Sequence, residues 1–184
     1  MRRDWFSLGD KDLAARENVA FFCSRQVAPS ALLNCYDWAI AQRELGRCVI
    51  SGFHSRIEKD VLYYLLKGSQ PIVIALHRGI GPKIAAQFKK EIDAGRLLII
   101  SPFDESVKRG DRRTARTRNE MMLEMADSIT VGYASPGGEL EKLLNTVDKP
   151  IEYLWREDDN HEKSRSRIYF VDDESSIERI MEDR

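Results

Sequence analysis

The residues able to do chemistry in this chain sit in short loops of similar composition. They are Ser24-Arg25-Gln26, Ser51-Gly52-Phe53-His54-Ser55-Arg56, His77-Arg78-Gly79-Ile80-Gly81-Pro82-Lys83, Ser101-Pro102-Phe103 and Ala134-Ser135-Pro136-Gly137-Gly138. A further basic run, Lys108-Arg109-Gly110-Asp111-Arg112-Arg113, continues to Arg116, Arg118 and Asn119. Glycine lets backbone N–H groups approach an oxyanion, and a helix starting after the loop favours negative charge there. Arg and Ser add side-chain donors. The shared chemistry is phosphate binding. Taken singly, each glycine loop reads as a turn, and His54 and His77 each read as loop residues. Gly79 and Gly81 lack the third glycine of a dinucleotide fingerprint. The basic run by itself also fits a solvated helix face.

Catalytic and metal constellations are weak. No serine sits in a G-x-S-x-G elbow, and no P-loop is present. Glu58 and Asp60 form a carboxylate pair on a segment rich in ordinary surface charge. Cys23, Cys35 and Cys48 form no C-x-x-C pair, and the 3 histidines do not complete zinc-ligand spacing. We assign no catalytic residue, no metal and no cofactor. The thiols are expected to be reduced and mostly buried.

These loops need a scaffold that gathers them. Apolar runs at residues 19–23, 48–50, 72–76, 97–100, 128–131 and 151–154 are nearly continuous rather than alternating. That is the signature of strands covered on both faces, hence of a parallel sheet. Helical segments lie between them, at about 29–45, 55–66, 82–95, 112–126 and 139–147. Gly46 and Gly68 act as stops, and Pro82 stands at a first helical position. Met121, Met122 and Met125 on the fourth helix read as core packing. The pattern predicts a doubly wound, mainly parallel α/β sheet, a Rossmann-like three-layer α/β/α domain with its core at about 19–155. Residues 4–16 read as a lead-in helix. Residues 156–167 read as an exposed charged loop, followed by a strand at 168–171 and a helix at 175–183. The whole of 1–184 is expected to form one domain. In such a sheet, ligands bind beyond the carboxyl ends of the strands, where the loops above fall.

Composition narrows the function. The chain has 184 residues, 42% hydrophobic and 32% charged, with formal net charge −1. It can bury a core without staples. Nucleic-acid binding, if it occurs, must act through a local patch. No apolar run approaches a membrane span, and the N-terminus lacks a signal-like stretch, so the expectation is a cytoplasmic protein without membrane contact.

The order of loops resembles the Rossmann-like domain of the DprA/Smf DNA-processing proteins, within the SLOG group that includes the LOG nucleotide hydrolases. Cys23-Ser24-Arg25 stands where that family has Gly-Ser-Arg. Ser51-Gly52 begins the second shared element, which continues to Glu58. Gly79-Ile80-Gly81 loosely matches the third. Gly95 to Ser101 matches a Gly-x-hydrophobic-Ile-Ser strand, Arg118-Asn119-Glu120 an Arg-Asn-Arg helix element, and Ser135-Pro136-Gly137-Gly138 the glycine loop. The resemblance implies binding of single-stranded DNA or a nucleotide, without efficient catalysis, and a tendency to homodimerise. It implies a pocket of Ser24, Arg25, Ser51, Gly52, Arg118, Asn119, Gly137 and Gly138. Arg25 and Arg118 would pair with phosphate, Ser24 and Ser51 would donate hydrogen bonds, and Asn119 would read a base or fix a loop. Lys108, Arg109, Arg112, Arg113 and Arg116 would form a positive rim. The alternative is a LOG-like nucleoside monophosphate phosphoribohydrolase. Against it, Leu140 and Glu141 stand where the LOG loop has Gly and Thr.

Overall fold

The computed structural model describes residues 5–155, except Gln26 and Ala28. A seven-stranded sheet runs in the order β1-β5-β4-β3-β2-β6-β7. Its strands are β1 (Phe6–Gly9), β2 (Asn18–Cys23), β3 (Cys48–Ser51), β4 (Ile72–Ala75), β5 (Leu97–Ser101), β6 (Ser128–Tyr133) and β7 (Ile151–Tyr153). All neighbours pair in parallel except β1, which lies antiparallel on β5. The helices are α1 (Pro29–Leu45), α2 (Arg56–Leu66), α3 (Pro82–Gln87), α4 (Lys89–Asp93), α5 (Arg112–Met125) and α6 (Glu139–Leu144).

Burial on both faces follows from the apolar runs. Along β2, Val19, Phe21 and Cys23 join the core under α1 and α2, while Ala20 and Phe22 join the core under α5 and α6. Met121 and Met122 fill that second core. The three-layer α/β/α expectation holds, as does the burial of all three cysteines as free thiols. Among the described residues, no helix is long and apolar enough to cross a membrane.

Two expectations fail. The lead-in helix at 4–16 is instead the edge strand β1 followed by a 3-10 turn, Lys11–Ala15. Gly9 explains part of this: its φ is +107°, and any Cβ there would strike the Leu97 carbonyl. The chain can therefore lie tight against β5 and then break, with Asp10 capping the turn. The segment at 82–95 is two helices, not one, because buried Phe88 leaves helical geometry at φ −111°, ψ 19° to reach the core. The strand and helix expected at 168–171 and 175–183, like the charged loop before them, lie outside the described residues.

The winding places the site. From β2 the chain steps through β3, β4 and β5 in one direction, then returns to β6 on the other side of β2. This switch point opens a crevice between the loops after β2 and β6. A bulge sharpens it: Phe22 pairs Val131 but Cys23 pairs Tyr133, leaving Gly132 over. Bulges bend a strand end and redirect the side chains beyond it.

The return helix α5 is anchored at its far end by Lys149. Its Nζ donates to the carbonyl oxygens of Leu123, at 2.6 Å, Glu124 and Ala126. A cation there satisfies orphan carbonyls and complements the helix dipole. Lys149→Met should cost about 1–2 kcal/mol. Urea denaturation should show a lower midpoint with an unchanged slope; an unshifted midpoint would mean the cap contributes nothing.

Candidate functional site at the carboxyl edge

Arg118 is the centre of the site. Thr114, Arg118, Met121 and Met122 share the buried face of α5, so the guanidinium enters from beneath the sheet edge. Arg118 is 6% exposed. Its Nη1 donates to the Ala75 carbonyl at 3.4 Å, at the end of β4. To reach it, the side chain crosses Gly52 at the end of β3. A Cβ at Gly52 would overlap Nη1. Burial lowers the Arg118 pKa, opposed by the charge of Glu58. The Arg118 Nε and the neighbouring Asn119 Oδ1 are both buried without a hydrogen-bond partner among the described residues.

Two histidines stand beside this cation. His54 follows β3 and His77 follows β4, and their rings meet edge to face with centroids 4.6 Å apart. Gly110 gives His77 its place, since a Cβ there would overlap the imidazole. Phe53, just before His54, is buried with φ +45°, a strained conformation for a non-glycine residue. Glu58 holds the turn: its Oε2 accepts from His54 N at 2.8 Å and Ser55 N at 2.9 Å, while Ser55 Oγ accepts from Glu58 N. This capping box starts α2 and satisfies its first amides internally. Burial, then Arg118 and Arg25, lower the pKa of His54; burial, Arg118 and His54 lower that of His77 to about 4.

The other expected residues fall around this core in different ways. Ser24 bridges the switch point: its N–H donates to the Tyr133 carbonyl at 2.8 Å and its Oγ accepts from Ser135 N at 3.0 Å. Its hydroxyl proton is left to point elsewhere. Arg25 is exposed and close enough to His54 and His77 to act on both. Ser51, expected to donate to a ligand, is fully buried and gives its proton to the Phe21 carbonyl at 2.8 Å. Its part is to tie β3 to β2. Gly137, at φ +69°, and Gly138 form a turn closed by Gly138 N donating to Ser135 O. The Gly137 amide already donates to the Glu141 carboxylate at 2.7 Å. Lys108, Arg109, Arg112, Arg113 and Arg116 are exposed, and Arg116 pairs with Glu120 at 3.1 Å. On the β6 side, Tyr133 and Trp155 pack edge to face at 5.0 Å.

His54, His77 and Glu58 are the residues that loop-by-loop reading undervalued. Both histidines follow strands that become neighbours, and that juxtaposition was the available signal. A cavity of about 340 Å³ lies between β1 and the loops after β4 and β5, lined by Phe6, Leu8, Ile80, Pro82 and Phe103, and another of about 310 Å³ lies around Arg16, Gly46 and Pro71.

Comparison with known proteins places this geometry on a familiar frame. The structure superposes on DNA processing protein A (DprA) from Streptococcus pneumoniae with a TM-score of 0.65 at 16% identity, covering 81% of this chain and 54% of that one. It superposes on DprA from Helicobacter pylori, a structure described for its single-stranded DNA binding mode, with a TM-score of 0.67 at 17% identity, covering 84% and 73%. The chain has a DprA-like fold. It spans about half the length of the pneumococcal protein. No family model matches the sequence, and no curated protein matches it.

Two predictions follow from the geometry. Gly52→Ala should displace the Arg118 guanidinium from Ala75 and leave a buried cation without its place, costing about 3–5 kcal/mol. Chemical denaturation measures it; a loss below about 1 kcal/mol would show that Arg118 can move aside freely. The second concerns pH. His77 binds its proton less readily folded than unfolded. Its contribution to stability is therefore complete above about pH 6.5 and drains away as pH falls toward about 4. Wild type should lose more stability than His77→Asn between these limits, read as the difference between their thermal midpoints. Parallel losses would contradict the assignment.

Proposed function

We propose that the carboxyl edge binds phosphate groups of single-stranded nucleic acid, single-stranded DNA in the first place. The observation that carries this is the buried, sparsely partnered Arg118 crossing Gly52, with exposed Arg25, at the topological switch, near enough to act on the same two histidines. A cation held without a full set of acceptors in a dry setting favours an incoming oxyanion. Support comes from the shared fold with the Helicobacter pylori protein, whose structure is described for binding single-stranded DNA. Tyr133 and Trp155, half-buried and packed together at the end of β6, are aromatic side chains of the kind on which unstacked bases stack.

In this reading Ser24, Arg25, Arg118 and the Gly52 backbone meet phosphate, with Asn119 as a neighbouring acceptor. Arg112, Arg113, Lys108 and Arg109 extend the track as an exposed rim. Binding, not bond cleavage, is the role. The nucleotide-hydrolase alternative is disfavoured by Glu141, whose carboxylate takes the Gly137 amide that such a loop would turn toward phosphate. Self-association belongs to the same proposal: β1 and β7 end the sheet among the described residues.

Arg25→Ala should weaken binding of an oligothymidylate by about 1.5–3 kcal/mol, the scale of a charged hydrogen bond. With three to five phosphate contacts at about 0.7 each, log K against log salt should slope at about −2 to −3.5. Arg112→Ala with Arg113→Ala should flatten that slope by about 1.4. Anisotropy titrations at several salt concentrations measure both effects. Undiminished binding by Arg25→Ala would refute the site, and a flat salt response would refute the polymer.

A further inference from the structure

We propose that the His54–His77 pair takes up a proton when a phosphate group seats beside Arg25 and Arg118, so that binding tightens as the pH falls. This rests on the phosphate-binding reading and adds its regulation. The geometry comes first. The two imidazoles touch, with centroids 4.6 Å apart, at the carboxyl ends of adjacent strands β3 and β4. The arrangement is built in: Gly110 vacates the space that His77 fills, Phe53 accepts a strained backbone before His54, and the Glu58 carboxylate holds the His54 amide at 2.8 Å. Such outlay on two ordinary loop residues calls for a use.

The charges facing the pair supply it. His54 senses Arg118 from α5, Arg25 from the loop after β2, and Glu58 and Lys59 from α2. His77 senses Arg118, Arg25, His54 and Arg78 from its own loop. Glu58 is the one named anion among these, and it is committed to the start of α2. Without a ligand, cations and burial therefore keep both rings neutral near neutral pH. An oxyanion seated among the same arginines reverses the sign of the local field. It favours imidazolium, and a proton passes from solvent to a ring nitrogen, with no other bond made or broken. The bound state then holds more protons than the free state. Linkage requires affinity to rise as pH drops through the bound-state pKa, and to level off below the free-state pKa.

The probe is an oligothymidylate of about ten nucleotides with hydroxyl ends, within the usual site size for single strands. Its phosphodiesters and bases do not titrate between about pH 5.5 and 8, so pH dependence in this window reports the protein. Affinity is measured by anisotropy at fixed ionic strength across that range. Proton exchange is measured by calorimetry in two buffers with different ionisation heats. The expected result is a Kd that falls with pH, by up to about tenfold per pH unit for one proton, and a buffer-dependent heat showing net proton uptake. The His54→Asn, His77→Asn double variant should lose the pH slope. Binding that is equally tight at every pH, without proton uptake, overturns the inference and leaves phosphate binding standing. An unchanged slope in a folded double variant also overturns it. No binding at low salt at any pH rejects the reading beneath it. Should the double variant not fold, the wild-type calorimetry decides alone.

Discussion

One guanidinium organises the carboxyl edge of this sheet. Arg118 leaves a helix on one face, passes over the end of β3 and meets a carbonyl at the end of β4. A buried arginine keeps its charge and must be compensated or kept costly. Here compensation is partial: one long hydrogen bond, the field of Glu58, and an Nε without a partner among the described residues. Several local features follow from that requirement. Gly52 must lack a side chain, α5 must be positioned closely, and Lys149 holds α5 by its far end.

The same cation sets the chemistry of its neighbours. His54 and His77 are depressed by burial and by positive charge together, so their neutral forms prevail where an ordinary histidine would be half protonated. Glu58 works against that field while its oxygen is spent on backbone amides. The positive field here is local, since the chain as a whole carries no net positive charge. A formal net charge of −1 is thus compatible with a local concentration of positive charge at the sheet edge.

The fold was largely legible because continuous apolar runs leave few alternatives: strands so apolar need cover on both faces. The misses were local. Residues 6–9 carry too little pattern to separate an edge strand from a helix, and the break at Phe88 arises from tertiary packing against a core the sequence does not display. The loops at the carboxyl edge were legible as a set, because the fold class alone brings strand ends together. Individual roles were not. Ser51 looks like a donor in sequence, yet its hydroxyl bonds across the sheet to Phe21, a partner 30 residues away. His54 and His77 are separated by a helix in sequence, and only the pairing of β3 with β4 makes them neighbours. Arg118 was legible as a candidate through its place on the helix, but its burial depends on a glycine far from it in the chain.

The glycine loop after β6 shows how the edge divides its work. On a bare loop, the Gly137 amide would be the natural oxyanion donor. Here the carboxylate of Glu141 accepts that N–H at 2.7 Å, which closes the loop on itself and places a negative charge at its mouth. An anion arriving there would meet repulsion and a donor already satisfied. Across the crevice, Ser24 accepts from Ser135 N, so the β6 loop also fixes the position of the residue before Arg25. The loop thus serves as a wall and a support, and the positive charge of the edge lies instead at the β2, β3 and β4 ends, where Arg25, Arg118 and the two histidines stand. A fold fixes where such loops meet but not which donors they offer: one acidic side chain after a glycine turn is enough to close this loop's amide to an incoming anion.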